Sequence, residues 1–270
     1  MRYRLVVLDI DGTIAGPDFT VSDRVRKAIA QAQDAGATVV LATGRILPSA
    51  RRIAIELGTN GPLVCYQGAM TADPVTGDLL RHERLGPEAA LEALGEIQRS
   101  GAHVNVHVDG EIYVKSVSDW AAGYASRMRL ELQVVDALEP LAARRPTLIL
   151  TVNEPLATKA LAARLRTLLG SRALVTHSIP TFCEVASPRA GKVAALQVVA
   201  DGLGIPASEA VAFGDGAGDA GMLAWAGLGV AVGAAHPEAL AAAGRTAPGP
   251  ERDGVARLRE EWVRDGSLGG

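Results

Sequence analysis

Apolar positions along the chain follow two rhythms. Tyr3–Leu8 is a largely apolar, β-branched run that ends at Asp9 and precedes Gly12 and Pro17, the pattern of a buried strand entering a polar turn. Ser22 then stands before Val25, Ala28, Ile29 and Ala32 at helical spacing, and Gly36 closes the segment. A second buried strand, Thr38–Ala42, runs into Thr43-Gly44-Arg45. A helix carrying Ala50, Ile53, Ala54 and Leu57 stops before Gly58, and Pro62–Tyr66 reads as a third strand. Strands and helices alternating over short links predict a parallel sheet covered on both faces.

The rhythm changes after Gly68. Ala69–Ala72 and Asp78–His82 flank a Pro-Val-Thr-Gly turn and predict a hairpin. From about Leu85 to Ser187 the pattern is mixed α+β. His103–Val108 and Glu111–Lys115 form a hairpin around Asp109-Gly110, because both turn residues accept positive φ. Helices are expected at Pro87–Arg99, Ser118–Met128 and Ala157–Leu169, and strands at Thr147–Val152, Ala173–His177 and Phe182–Ala186. After Pro188 the first rhythm returns. A helix from Lys192 to Leu203 leads to strand Ala210–Phe213, a Gly/Asp-rich loop, a short helix and strand Leu228–Val232. A last helix begins near Asp253, and Gly266–Gly270 reads as a frayed end. One α/β domain is thus interrupted by an inserted second domain.

Composition narrows function by exclusion. The 270 residues are enough for one large domain or two modest ones, with no need of a disulfide or metal staple. Apolar residues at 48% and charged residues at 21% describe a globular chain, and aromatics at 4% leave the core to Ala, Val and Leu. The 27 basic against 30 acidic residues give −3, so no basic excess points to nucleic acid or an anionic membrane. Cys65 and Cys183 read as buried small hydrophobes in a reducing compartment. The N-terminus lacks a signal peptide's apolar region and cleavage site. Ala220–Ala235, broken by Gly227, Gly229 and Gly233, falls short of the ~20 apolar residues of a spanning helix. A cytoplasmic protein is expected.

The informative observation is where the polar residues fall. Asp9 and Asp11, Thr43 and Asp215 each lie just past the end of an expected parallel strand, and in an open α/β sheet those ends gather around one crevice. Converging carboxylates suit a hard cation such as Mg²⁺. The Thr43 hydroxyl, loop N–H groups and the Lys192 ammonium suit phosphate oxygens. Acids and donors together point to metal-assisted phosphate chemistry.

Asp9-Ile-Asp11-Gly12-Thr13, Ala42-Thr43-Gly44-Arg45, Gly191-Lys192 and Phe213-Gly214-Asp215-Gly216-Ala217-Gly218-Asp219 resemble, in order, the four motifs of the haloacid dehalogenase superfamily of phosphotransferases. The large insertion between the second and third resembles its Cof-type branch. The resemblance implies a Rossmann-like core, residues 1–84 and 188–270, and an inserted α+β cap, residues 85–187, that sets specificity. It implies a Mg²⁺-dependent phosphatase of a small phosphorylated metabolite such as a sugar phosphate. Asp9 would be the nucleophile and Asp11 the general acid/base. The Asp9 carboxylate, the Asp11 carbonyl and Asp215 would hold Mg²⁺, and Asp219 would support the metal or the lysine. Thr43 and Lys192 would hold phosphoryl oxygens, with Gly12, Thr13, Gly44 and Arg45 on the substrate side. Two positions depart from the branch's pattern: Gly218 stands where asparagine is common, and Gln67-Gly68 where Asn-Gly is common. The missing amide removes a hydrogen bond worth ~1 kcal/mol near the phosphate or metal.

Other readings carry less. Gly216-x-Gly218-x-x-Gly221 formally matches a dinucleotide fingerprint, but Glu238 falls in a helix start rather than at the end of the next strand. His103 and His107 lie on an alternating strand, where four residues separate them by ~13 Å, too far to share an ion; they read as its polar face. No G-x-S-x-G hydrolase signature is present. A phosphomutase and a non-catalytic phosphometabolite-binding protein are the alternatives. The expected partner is a small phosphorylated metabolite, with no nucleic acid or membrane, on a monomer or homodimer.

Overall fold

The computed structural model describes residues 3–128, 130–176 and 179–264, and the chain divides into two compact units. One comprises Met1–Arg45, Ala50–Arg81 and Lys192–Gly270; the other comprises Ile46–Ser49 and His82–Gly191. The first unit opens with β1 (Leu5–Leu8), α1 (Asp23–Asp34), β2 (Thr38–Ala42), α2 (Leu47–Leu57), β3 (Leu63–Cys65), β4 (Met70–Ala72) and β5 (Leu79–His82). The second unit contributes α3 (Pro87–Arg99), β6 (His103–Val108), β7 (Glu111–Val114), α4 (Asp119–Met128), β8 (Leu132–Val134), β9 (Leu148–Val152), α5 (Pro155–Leu169), β10 (Leu174–Thr176) and β11 (Phe182–Ala186). The chain returns through α6 (Lys192–Leu203), β12 (Ala210–Gly214), α7 (Ala220–Trp225), β13 (Leu228–Val232), α8 (Pro237–Ala242), β14 (Arg245–Ala247) and α9 (Gly254–Arg264).

The first unit is built on an eight-stranded sheet of order β14-β13-β12-β1-β2-β3-β4-β5. All pairs from β14 to β3 are parallel, and β4 turns antiparallel to β3. Strand order runs outward in opposite directions from β1 and β12, so the crevice between their C-terminal ends is the topological switch point, where open α/β sheets take ligands. Alternate residues of β1 enter two layers, which explains its uninterrupted apolar run. Leu5 and Val7 join Leu196 and Val199 of α6 and Met222 and Leu223 of α7. Val6 and Leu8 face Ala28, Ile29 and Ala32 of α1 and Val255 of α9. The Ser22 hydroxyl accepts from Val25 N at 3.2 Å and starts α1 as its cap.

The second unit holds a six-stranded sheet, β10-β11-β9-β6-β7-β8, antiparallel except for the β7–β8 pair. Leu94 and Ile97 of α3 and Leu161 and Leu165 of α5 cover the Val104, Val106 and Ile149 face. Asp109 (φ 53°) and Gly110 (φ 86°) both take left-handed conformations in the β6–β7 turn. The molecule is an α/β fold with a parallel core interrupted by an inserted α+β domain.

Several elements differ from the sequence expectation. Regular pairing of β1 begins at Leu5 rather than Tyr3, and β9 begins at Leu148 rather than Thr147. β3 is shorter than Pro62–Tyr66, because Tyr66 and Gln67 turn left-handed. Helix α5 starts at Pro155, two residues before Ala157, because proline fits the first helical position. The three-residue strands β8 and β14 have no counterpart in the sequence expectation. The polar face expected of β6 is not solvated: Asn105 and His107 are buried, and burial pushes the His107 imidazole down to about 3. The expected strand end at His177 and the frayed Gly266–Gly270 lie outside the described residues. Cys65 and Cys183 are buried free thiols, and burial pushes Cys183 up to about 12.

Candidate active site

Chemistry-bearing residues collect where β1, β2 and β12 end. Asp9 follows β1, and its N–H donates to Phe213 O at 3.0 Å, which extends the β1–β12 pairing to the head of the crevice. Lys192, the first residue of α6, lays its ammonium between two carboxylates: Nζ donates to Asp9 Oδ1 and to Asp219 Oδ1, each at 2.6 Å. All three are buried, with side-chain exposures of 5% for Lys192, 9% for Asp9 and 4% for Asp219. A solvated role for Lys192 is thereby excluded.

Asp219 uses its second oxygen to hold the loop after β12. Oδ2 accepts from Asp215 N at 3.1 Å and Gly216 N at 2.9 Å, so one side chain fixes both the lysine and the loop that presents Asp215. The Thr13 hydroxyl donates to Asp215 Oδ1 at 2.7 Å. Between these loops Gly12 (φ +86°) passes so close to Asp215 that a Cβ would sit 2.3 Å from Oδ2. Only glycine satisfies both that conformation and that approach.

Asp9, Asp215 and Asp219 each offer a carboxylate oxygen, and these atoms lie within 4.8 Å of one another. Burial raises the Asp9 carboxyl well above its usual range, against the lowering by Lys192. Burial also raises Asp215 to about 6, although the Thr13 hydrogen bond lowers it. For Lys192 burial acts downward, but the charges of Asp219 and Asp9 outweigh it and hold the ammonium protonated. Two of the three acids thus share one ammonium in a poorly solvated crevice. The oxygen-only donor set and the residual negative charge fit a hard divalent cation.

Asp11 stands apart from that cluster. Arg45 grips its carboxylate with two bonds, Nε to Oδ2 at 2.7 Å and Nη2 to Oδ1 at 2.5 Å. Arg45 is 8% exposed, so it is not a surface arginine. Its guanidinium lies 5.3 Å from the ring centroid of Phe19, a residue that carries no sequence signal for this position. Thr43 is buried, and its hydroxyl accepts from Arg45 N at 3.1 Å. Gly44 lies against the side chain of Gln67, and Gly218 lies near the same amide. The two departures from the family pattern, Gln67 and Gly218, are therefore neighbours in space. Sequence separation hid that pairing.

Known proteins resemble this chain in sequence and in fold. HMP-PP phosphatase of Cronobacter sakazakii is 31% identical over 238 residues, which cover 88% of this chain and 87% of that protein. A 5-amino-6-(5-phospho-D-ribitylamino)uracil phosphatase of Bacillus subtilis is 27% identical over 268 residues, covering 96% of this chain and 97% of its own. The crystal structure of a haloacid dehalogenase-like hydrolase from Bacteroides thetaiotaomicron shares the fold. It superposes with a TM-score of 0.86 at 24% identity, over 96% of this chain and 99% of that one. The model of the haloacid dehalogenase-like hydrolases matches residues 6–258, and the chain belongs to that family.

Proposed function

We infer that the protein is a phosphatase that hydrolyses a small phosphorylated metabolite with Mg²⁺, through a phosphoryl group carried on Asp9. The observation that carries this reading is the buried Asp9–Lys192–Asp219 clamp beside Asp215 at the switch point of the sheet. The relatives named for HMP-PP and for a phosphorylated ribitylaminouracil support a small-metabolite substrate.

Asp9, Asp215 and the Asp11 carbonyl would hold Mg²⁺, with Asp219 supporting the site, and the ion would supply positive charge to the phosphoryl oxygens and to the carboxylates around them. Lys192 holds Asp9 by one oxygen, which orients the carboxylate and offsets the repulsion between it and an approaching phosphate. Asp9 then attacks phosphorus in line with the leaving oxygen, and a second in-line attack by water releases phosphate. Thr43 keeps its hydroxyl hydrogen for a phosphoryl oxygen, since the bond from Arg45 N uses only a lone pair. Asp11 protonates the leaving oxygen and later takes a proton from water. Its grip by Arg45 holds the carboxylate in one orientation. The inserted domain, expected over residues 85–187, sets the choice of leaving group.

The test is rapid quench with ³²P-labelled phosphate ester after dialysis against EDTA. Turnover should return on adding Mg²⁺, inorganic phosphate should be released, and the label should map to Asp9. Label on another residue would overturn the nucleophile assignment, and undiminished turnover in excess EDTA would overturn the metal. Isomerised ester without phosphate would identify a mutase, and binding without turnover a non-catalytic protein.

A further inference from the structure

The turn after β3 is a strained segment of the first unit. Tyr66 (φ 52°), Gln67 (φ 54°, ψ 30°) and Gly68 (φ 85°) are three consecutive residues in the left-handed region, and only one of them is glycine. Such a run persists only where its surroundings fix it, and it marks a place where geometry is being held for a purpose. Here the fixings lead to the phosphate-binding loop. Tyr66 N donates to Arg45 O at 2.9 Å, Gln67 N donates to Thr43 O at 3.2 Å, and the Gly68 carbonyl accepts from Arg81 Nη1 at 2.6 Å. Helix α6, which begins with Lys192, packs on the same turn.

The left-handed turn aims the Gln67 side chain between two loops. A Cβ on Gly44 would fall 2.6 Å from Gln67 Nε2 and 3.0 Å from its Cδ, so the amide lies directly against that glycine. A Cβ on Gly218 would fall 3.6 Å from Gln67 Oε1, its nearest neighbour, so the same amide also borders the loop that carries Asp215 and Asp219. The two glycines leave room for one side chain, and Gln67 fills it.

We propose that Gln67 is a positioning residue: its amide is a wedge between Gly44 and Gly218 that sets the spacing of the Thr43 loop from the Asp215–Asp219 loop. It acts through those loops and does not touch the reacting atoms. The proposal rests on the phosphatase reading for its effect on rate, but the wedge is a statement about two loops and can be tested without turnover.

The experiment is a double-mutant cycle with Gln67→Ala, Gly218→Asn and the two together, in the full chain with Mg²⁺. Hydrolysis of p-nitrophenyl phosphate and thermal unfolding are measured for each. Misplacement of a catalytic loop by an ångström costs about a hundredfold in rate. Gln67→Ala should therefore lower kcat by about ten- to a hundredfold with KM within about twofold, since the loss falls in the transition state. Gly218→Asn should also lose rate, because its Cβ alone reaches contact with Gln67 Oε1 at 3.6 Å and the rest of the side chain adds bulk beside that amide. The double variant should recover most of the loss, because the new amide on the second loop refills the space that truncation of Gln67 leaves. Its unfolding midpoint should exceed that expected from the two single shifts.

Additive losses in the double variant would overturn the wedge. So would a raised KM with unchanged kcat for Gln67→Ala, which would mean direct ligand contact, or a lowered midpoint with kcat intact, which would mean stability alone. Were the wild-type protein to release no phosphate from any ester, the phosphatase reading would fall. The unfolding cycle would then decide the wedge by itself, non-additive midpoints sustaining it and additive midpoints refuting it.

Discussion

Replacing Lys192 with methionine keeps the length of the side chain and removes its charge. In the wild-type protein the ammonium makes two 2.6 Å bonds, to Asp9 and Asp219, and none of the three side chains exceeds 9% exposure. The variant leaves two buried carboxylates facing each other without the shared cation. Removing one partner of a buried ion pair destabilises by about 3–5 kcal/mol, because the remaining charge is left uncompensated. For a chain of this size each kcal/mol moves the unfolding temperature by about 2–4 °C, so a fall of about 6–20 °C is expected near pH 8. One relief is open to the variant. Asp9, already raised by burial, rises further and takes up a proton. A carboxyl raised in the folded state binds more protons there than in the unfolded chain, so stability falls as pH rises through that range. The deficit of Lys192→Met should therefore shrink on acidification from pH 8 to about pH 5.5. Calorimetric melts of both proteins in EDTA at the two pH values test this, with no other cation to compensate. A midpoint within about 3 °C of wild type at pH 8, or a deficit that grows on acidification, would refute the buried-clamp reasoning.

Three further outcomes follow from named contacts. Gly12→Ala forces a side chain into a left-handed residue and to 2.3 Å from Asp215 Oδ2. It should lose about 1–2 kcal/mol from backbone strain alone and weaken Mg²⁺ activation, read from kcat against Mg²⁺ concentration. Wild-type metal dependence would contradict the close approach. Arg45→Lys cannot keep two bonds to Asp11; losing one charged hydrogen bond of about 1.5 kcal/mol should slow kcat roughly tenfold, measured at saturating substrate. In the second unit His107 is held neutral by burial down to about 3. The unfolded chain binds a proton below about pH 6.5 that the folded chain refuses, so stability should fall on acidification by about 2 kcal/mol at pH 5. Urea titrations at pH 7 and pH 5 should show this slope in wild type and a smaller one in His107→Leu; parallel slopes would contradict it.

What the sequence determined by itself was local. The apolar run of β1 announced a strand buried on both faces, and Leu5 and Val7 do enter one layer while Val6 and Leu8 enter the other. Asp109-Gly110 announced its hairpin because turn geometry needs only adjacent residues. Ser22 announced the start of α1 for the same reason. Polar residues directly after apolar strands marked where Asp9, Thr43 and Asp215 would stand. Tertiary structure decided the rest, because it depends on pairing across distance. Strands β8 and β14 exist through their neighbours β7 and β13, not through three residues of propensity. The bonds of Lys192 to Asp9, of Arg45 to Asp11 and of Thr13 to Asp215 join residues 183, 34 and 202 positions apart. No local pattern encodes them. Burial then changed the chemistry of the joined groups, raising Asp9 and Asp215 and holding Lys192 charged. Gln67, Gly44 and Gly218 were separate marks along the chain, and only the crossing of three loops at the head of one sheet made them a single contact.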